Sequence, residues 1–382
     1  MKIIRTIGCL LLAAVIGASF SAQGMAWQKK SSKVKTVKKK TAAEVFPDFP
    51  KKALWLGDVK PPENFFDEKI TLVYFWDYSS INCIRELRTL KSWEAHYKPY
   101  RFQILWVHAP EFAAGADPEN VKDAVKRFGI KGPVLLDHQF KLWDKLGVRA
   151  WPAKILLNEK KEIIYRKGGE GDHFFVEAKI RGALKGLDAG AVLPAAIFDN
   201  DEPSYDPQEC GEMIGETYLG FKKASWMGAK IGNKQWLGPN ETQLFRDTEE
   251  RTERGFFLEG LWSNREEYLE HARQNEDLSD YVGLLYRGRE AYVTAQAPGQ
   301  EKGARVYVTR DENPVPVGYR GEDIEVDDTG ETYFTPTRHR LYYLIKGEDT
   351  EIHELKLWTS VKGVRFYSFS FSNLCLSEFE HY

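Results

Sequence analysis

Tyr74-Phe75-Trp76-Asp77-Tyr78-Ser79-Ser80-Ile81-Asn82-Cys83-Ile84-Arg85-Glu86-Leu87 decides how the first half of this chain folds. It ends an apolar run, Leu72 to Trp76, that suits a strand buried on both faces. It then opens a helix predicted from Ile84 to His96. Working outward, Phe102 to His108 reads as a second strand, Asn120 to Phe128 as a helix, Pro133 to Leu136 as a short strand and Phe140 to Leu146 as a short helix. Lys154–Leu157 and Glu162–Tyr165 read as an antiparallel hairpin, because the four residues between them are too few for a parallel crossover. Phe174 to Leu184 closes the series as a helix. Strands alternating with helices are the α/β pattern.

After Gly190 the pattern changes. Asp199 to Pro207 is rich in Asp, Glu and Pro and reads as a linker. Beyond Tyr218 come short apolar runs separated by turn residues: Gly255 to Trp262, Tyr281 to Tyr286, Ala291 to Ala295, Arg305 to Thr309, Arg340 to Ile345, Glu354 to Trp358 and Val364 to Phe371. That spacing predicts an all-β sandwich of jelly-roll type. Asn264 to Asp280, polar and Glu-rich, is expected to be a short helix or an exposed insertion.

The N-terminus reads as an export signal: Lys2 and Arg5, an apolar run from Ile7 to about Ala22, then small residues up to Ala26. An uncleaved anchor is the alternative, although the run is short for a span of about 20 residues. Gln28 to Lys40 carries seven lysines and no acid, as a solvated tether or a basic arm for anionic envelope polymers. The expected divisions are a signal at 1–26, a tether at 27–45, an α/β domain at 46–190, a linker at 191–217 and a β-sandwich at 218–382. The chain is 42% apolar with a formal charge of −2, which fits a folded chain and gives no electrostatic case for nucleic-acid binding. Four cysteines in 382 residues exclude a disulfide scaffold, and the eight histidines show no metal-site spacing.

The Tyr74–Leu87 segment, followed about 70 residues on by Ala150-Trp151-Pro152-Ala153, resembles the TlpA-like thioredoxin domains of DipZ-type proteins. The resemblance extends through Val107 to Phe112, Pro118 to Val121 and Gly168 to Gly171. Glu216 to Gly220, Leu258 to Trp262, His353 to Leu357 and the last strand are similar to the carbohydrate-binding-module-like domain that follows thioredoxin in such chains. The resemblance implies thiol–disulfide work in the periplasm or cell envelope, with protein thiols or disulfides and a membrane redox partner as partners. It implies no cofactor.

One position departs from that pattern. The family carries Cys-Ile-Asn-Cys, and this chain carries Ser80-Ile81-Asn82-Cys83. A serine hydroxyl ionises far above neutral pH and forms no disulfide, so Ser80 keeps a helix N-cap and removes the dithiol cycle. Cys83 is then either an inert, partly buried thiol or a monothiol that forms mixed disulfides. Glu86 stands where some TlpA-like proteins place an acid near the active-site cysteines, and either handles the thiol proton or is simply solvated on the helix surface. Pro152 is expected to be cis and, with Trp76 and Trp151, to line a peptide groove; core packing accounts equally well for the two tryptophans. Cys210 and Cys375 flank the sandwich, where a disulfide would close the domain. Trp226, Trp236 and Trp262 are candidates for stacking on sugar rings, with Trp262 reading as core. Two functions therefore stand open. One is an exported thioredoxin-like protein with a degenerate site, working as a monothiol or as a redox-inactive docking module. The other is an envelope binding protein whose sandwich recognises a glycan or a protein, without enzymatic activity.

Overall fold

The architecture follows from where the buried strands sit. In the computed structural model, the described residues are 43–198 and 215–373, apart from 51, 59, 62, 228–229, 234–237, 249, 253–254, 300–303 and 348, with nothing said of the side chains at 58 and 225–227. The signal, the lysine-rich stretch, the Asp199–Pro207 linker, Cys210 and Cys375 all lie outside the described residues.

The first region holds a six-stranded sheet of β1 (Leu54–Trp55), β2 (Ile70–Trp76), β3 (Phe102–His108), β4 (Val134–Leu136), β5 (Ala153–Leu157) and β6 (Ile163–Gly168), in the order β1-β4-β3-β2-β5-β6. Strand β2 runs parallel to β3 and antiparallel to β5, and β5 and β6 form the expected hairpin. All seven residues of β2 are buried, which is why its sequence is apolar but for Thr71. Its side chains alternate between two cores. Leu72, Tyr74 and Trp76 face Leu87, Leu90 and Trp93 of α1 (Ile81–Tyr97), Val121 and Ala124 of α2 (Pro118–Arg127), and Val176, Ile180 and Leu184 of α4 (His173–Leu187). Val73 and Phe75 face Leu142 and Trp143 of α3 (Lys141–Lys145), together with Phe46 and Trp55.

The second region is a curled sheet of 14 strands. Strand Gly255–Asn264 belongs to both of its halves. Residues 256–259 pair with Tyr281–Leu284, whereas residues 260–263 pair with Thr242–Phe245. The direction changes at Gly260, whose φ is +97° and where a Cβ would lie 2.0 Å from the Asp280 carboxyl carbon. Only glycine fits there.

Two expectations are corrected. Asn264–Asp280 is not a helix: it contributes strand Leu269–His271, with His271 and Asp280 fully buried and bonded to each other, while Glu276–Ser279 is its exposed stretch. Phe221–Met227 is a helix that apolar alternation did not announce.

Candidate functional site

Two features meet at one edge of the first sheet. The register pairs Phe75 with Ala153, so the residues following β2 and those preceding β5 share that edge. Asp77, the first residue after β2, is fully buried. Its carboxylate accepts from the Ser79 amide at 2.6 Å and hydroxyl, and from the Glu111 amide at 3.0 Å. His108 Nε2 stands 3.4 Å away. Burial alone would raise the Asp77 pKa, but His108 and these hydrogen bonds hold it well below the usual carboxylate range. Asp77 thus fixes the path of the chain into α1.

Ser80 is the N-cap of α1 with extended φ/ψ. Its carbonyl accepts from the Cys83 and Ile84 amides at 3.0 and 3.1 Å, while its side chain makes no cap bond. Cys83 is completely buried. Burial pushes its thiol well above the ordinary value, opposed only in part by hydrogen bonds with the Asp77 backbone and the Ser80 hydroxyl. A thiol so placed is a poor nucleophile at neutral pH, since the thiolate is the reactive form.

The second region covers this edge. Ile81 packs against Tyr292, Leu341 and Tyr343, and the Tyr78 hydroxyl bonds His339 Nδ1 at 2.9 Å. The Trp151–Pro152 peptide bond is cis. Trp151 is half-buried and donates from Nε1 to the Ala109 carbonyl at 2.8 Å. Facing it is Lys223 of helix Phe221–Met227, whose Nζ lies 5.6 Å from the Trp151 ring centroid, 4.3 Å from that of Phe112, and 2.9 Å from the Glu111 carbonyl oxygen. The surface beside Trp151 is met by this chain's own residues.

Two expectations change and one, for Trp262, holds. Trp76 lines no groove: it is fully buried, edge-on to Trp106, His108 and Phe128. Glu86 is not solvated. It is buried, and its Oε1 accepts from Lys154 Nζ and from the Gly171 amide at 2.6 Å, with His173 Nε2 at 3.3 Å. Burial would raise its pKa, but His173 and Lys154 outweigh it and lower the value. Glu86 is therefore ionised and engaged, not a base waiting for a thiol proton. Trp262 is core, while the Trp226 side chain and Trp236 lie outside the described residues.

Lys154, His173, Asp77, Glu111 and His339 were missed as a set. The available signal was Lys154 itself, a lysine inside the buried apolar strand Ala153–Leu157, which requires a buried anion.

Residues 215–372 match the family described as "Thioredoxin like C-terminal domain". Protein DipZ of Mycobacterium bovis is 26% identical over 304 residues, which are 79% of this chain and 39% of DipZ. Thiol-disulfide oxidoreductase ResA of Halalkalibacterium halodurans is 32% identical over 91 residues, 24% of this chain and 48% of ResA. The chain therefore spans less than half the length of either relative. A solved thiol-disulfide isomerase from Corynebacterium glutamicum is 17% identical, covering 38% of this chain and 94% of its own, with a TM-score of 0.31. The C-terminal family match over residues 215–372 and the similarity to DipZ and ResA show that this chain is similar to DipZ/TlpA-like thioredoxin-fold proteins.

Proposed function

We propose that this chain works in cell-envelope thiol–disulfide biology as a redox-inactive docking module for protein partners, without turning over their thiols or disulfides. The observation that carries the reading is Cys83: buried, its thiol pKa raised, and behind a Ser80–Ile81 segment held under the second region. Ser80 takes the place of the family's nucleophilic cysteine. The monothiol alternative needs an accessible thiolate, which this setting opposes.

In this reading residues 1–26 direct export and 27–45 tether the module. Residues 46–190 form the thioredoxin-like domain, 191–217 link it, and 218–382 form a jelly-roll-type sandwich that acts as a lid over the former active-site edge. Strand Gly255–Asn264 supports the sandwich assignment, since strands that pass between two packed sheets turn at such corners.

The test combines insulin reduction with alkylation of Cys83. The wild type and Ser80→Cys are both expected to leave insulin unreduced, and iodoacetamide should modify Cys83 only after urea is added. Insulin turnover by folded Ser80→Cys, or rapid labelling of Cys83 in the native chain, would overturn the reading.

A further inference from the structure

A cleft of about 200 Å³ lies between α2 and the Thr337–Arg340 segment of the second region, away from Cys83. Its lining includes Tyr78, Asn120 and His339, which are nearly fully buried, and Arg127, Arg338 and Arg340. Two buried polar atoms among these residues have no hydrogen-bond partner, Asn120 Oδ1 and His339 Nε2. Buried polar groups are normally satisfied, so two orphans lining one cleft call for a ligand group.

The charges are unequal. Arg338 pairs with Asp123 at 3.3 Å and Arg340 pairs with Asp323 at 2.5 Å, whereas Arg127 has no carboxylate partner among the described residues. The Arg127 guanidinium is a cation at neutral pH. Three guanidiniums against two carboxylates leave room for one negative charge.

The orphan atoms set the rest of the ligand. Asn120 Oδ1 only accepts, so a carboxylate cannot serve it. Burial lowers the His339 pKa to about 4, which keeps the ring neutral. Its Nδ1 is engaged with Tyr78, so Nε2 is a donor or an acceptor according to the tautomer. A hydroxyl group satisfies both atoms in either case. At ~30 Å³ per water in the liquid, the cleft holds roughly seven water-sized groups.

From this geometry we propose that the cleft binds a small hydroxycarboxylate, with its carboxylate on Arg127 and its hydroxyl between Asn120 Oδ1 and His339 Nε2. The proposal does not depend on whether the thioredoxin-like region turns over disulfides.

Titration calorimetry on the full chain tests it with three three-carbon probes: glycerate, propionate, which lacks the hydroxyls, and glycerol, which lacks the charge. Glycerate is expected to bind at least about tenfold more tightly than either control, the effect of one charge-assisted or buried hydrogen bond. Arg127 is exposed, so Arg127→Gln should leave the melting temperature unchanged while weakening glycerate about tenfold and leaving glycerol unaffected. Asn120→Leu should remove the advantage of glycerate over propionate. Equal binding of glycerate and propionate, no binding of glycerate at millimolar concentration, or an Arg127→Gln variant that binds like wild type would each overturn the assignment.

Discussion

The interior of the second region and the seam between the two regions treat a buried carboxylate in opposite ways. Asp280, in the interior, is fully buried, yet Arg273 Nε at 2.8 Å, His271 Nε2 at 2.9 Å and the Leu261 amide at 3.0 Å surround it. Burial would raise its pKa, but Arg273 and His271 bring it down to about 2. At the seam, the Tyr218 hydroxyl contacts both Glu111 and Glu216, the latter at 2.9 Å. A phenol has one hydrogen and cannot donate to two carboxylates. Burial and the nearby charge of Glu111 push Glu216 up to about 7, so that a proton is shared there. Asp280 is matched by cations; at the seam Lys223 reaches Glu111 at 3.0 Å, and Glu216, lying beside that acid, is matched by protonation.

The largest effect should come from breaking an interior pair. Lys154→Met leaves Glu86 buried without its cation, and should cost ~3–5 kcal/mol in urea unfolding. The double variant with Glu86→Gln should recover much of that. A single-variant cost below ~1 kcal/mol would put the pair on a level with an exposed one and erase the contrast.

The seam should respond to pH. A carboxylate whose folded pKa is raised contributes stability that is fully present below its unfolded value, about 4.5, and is lost as pH rises through about 7. His138 and His339, both lowered to about 4, act in the opposite sense: their contribution is lost as pH falls below 6.5. The difference between wild type and Glu216→Gln isolates the seam, and its slope can reach at most about 1.4 kcal/mol per pH unit. Identical pH profiles for the two proteins would remove the shared proton from the account.

Ser80→Ala should give the smallest change, below ~0.5 kcal/mol by thermal melting, because the Ser80 side chain makes no cap bond. A loss near 2 kcal/mol would mean that its hydroxyl carries the start of α1 after all.

Most of the first fold was legible because β2 and β3 contain the apolar runs Leu72–Trp76 and Ile104–Val107 and α2 is bounded by Asp117 and Pro118 at its start. Strand β1 has only two residues, too few to show a period. Asn264–Asp280 misled for a different reason. Its polarity suggested solvent, but His271, Arg273 and Asp280 satisfy one another, and polarity alone does not reveal who the partner is. What Ser80 cannot do was legible as chemistry, since a serine hydroxyl forms no disulfide. The state of Glu86 was not, because Lys154 is 68 residues away. The covered edge was equally hidden: it joins Ile81 to Tyr292, Leu341 and Tyr343, a contact between distant segments that no local pattern encodes.

The corner at Gly260 bears on cooperativity. Because strand Gly255–Asn264 supplies ladder partners to both halves of the second sheet, neither half can detach while the other keeps its full set of backbone bonds. The strand should belong to the last foldon to open, its amides exchanging with deuterium only when the whole sheet does. A side chain at Gly260 would then loosen both halves at once, and a defect at one turn of the backbone would be felt across the whole second sheet.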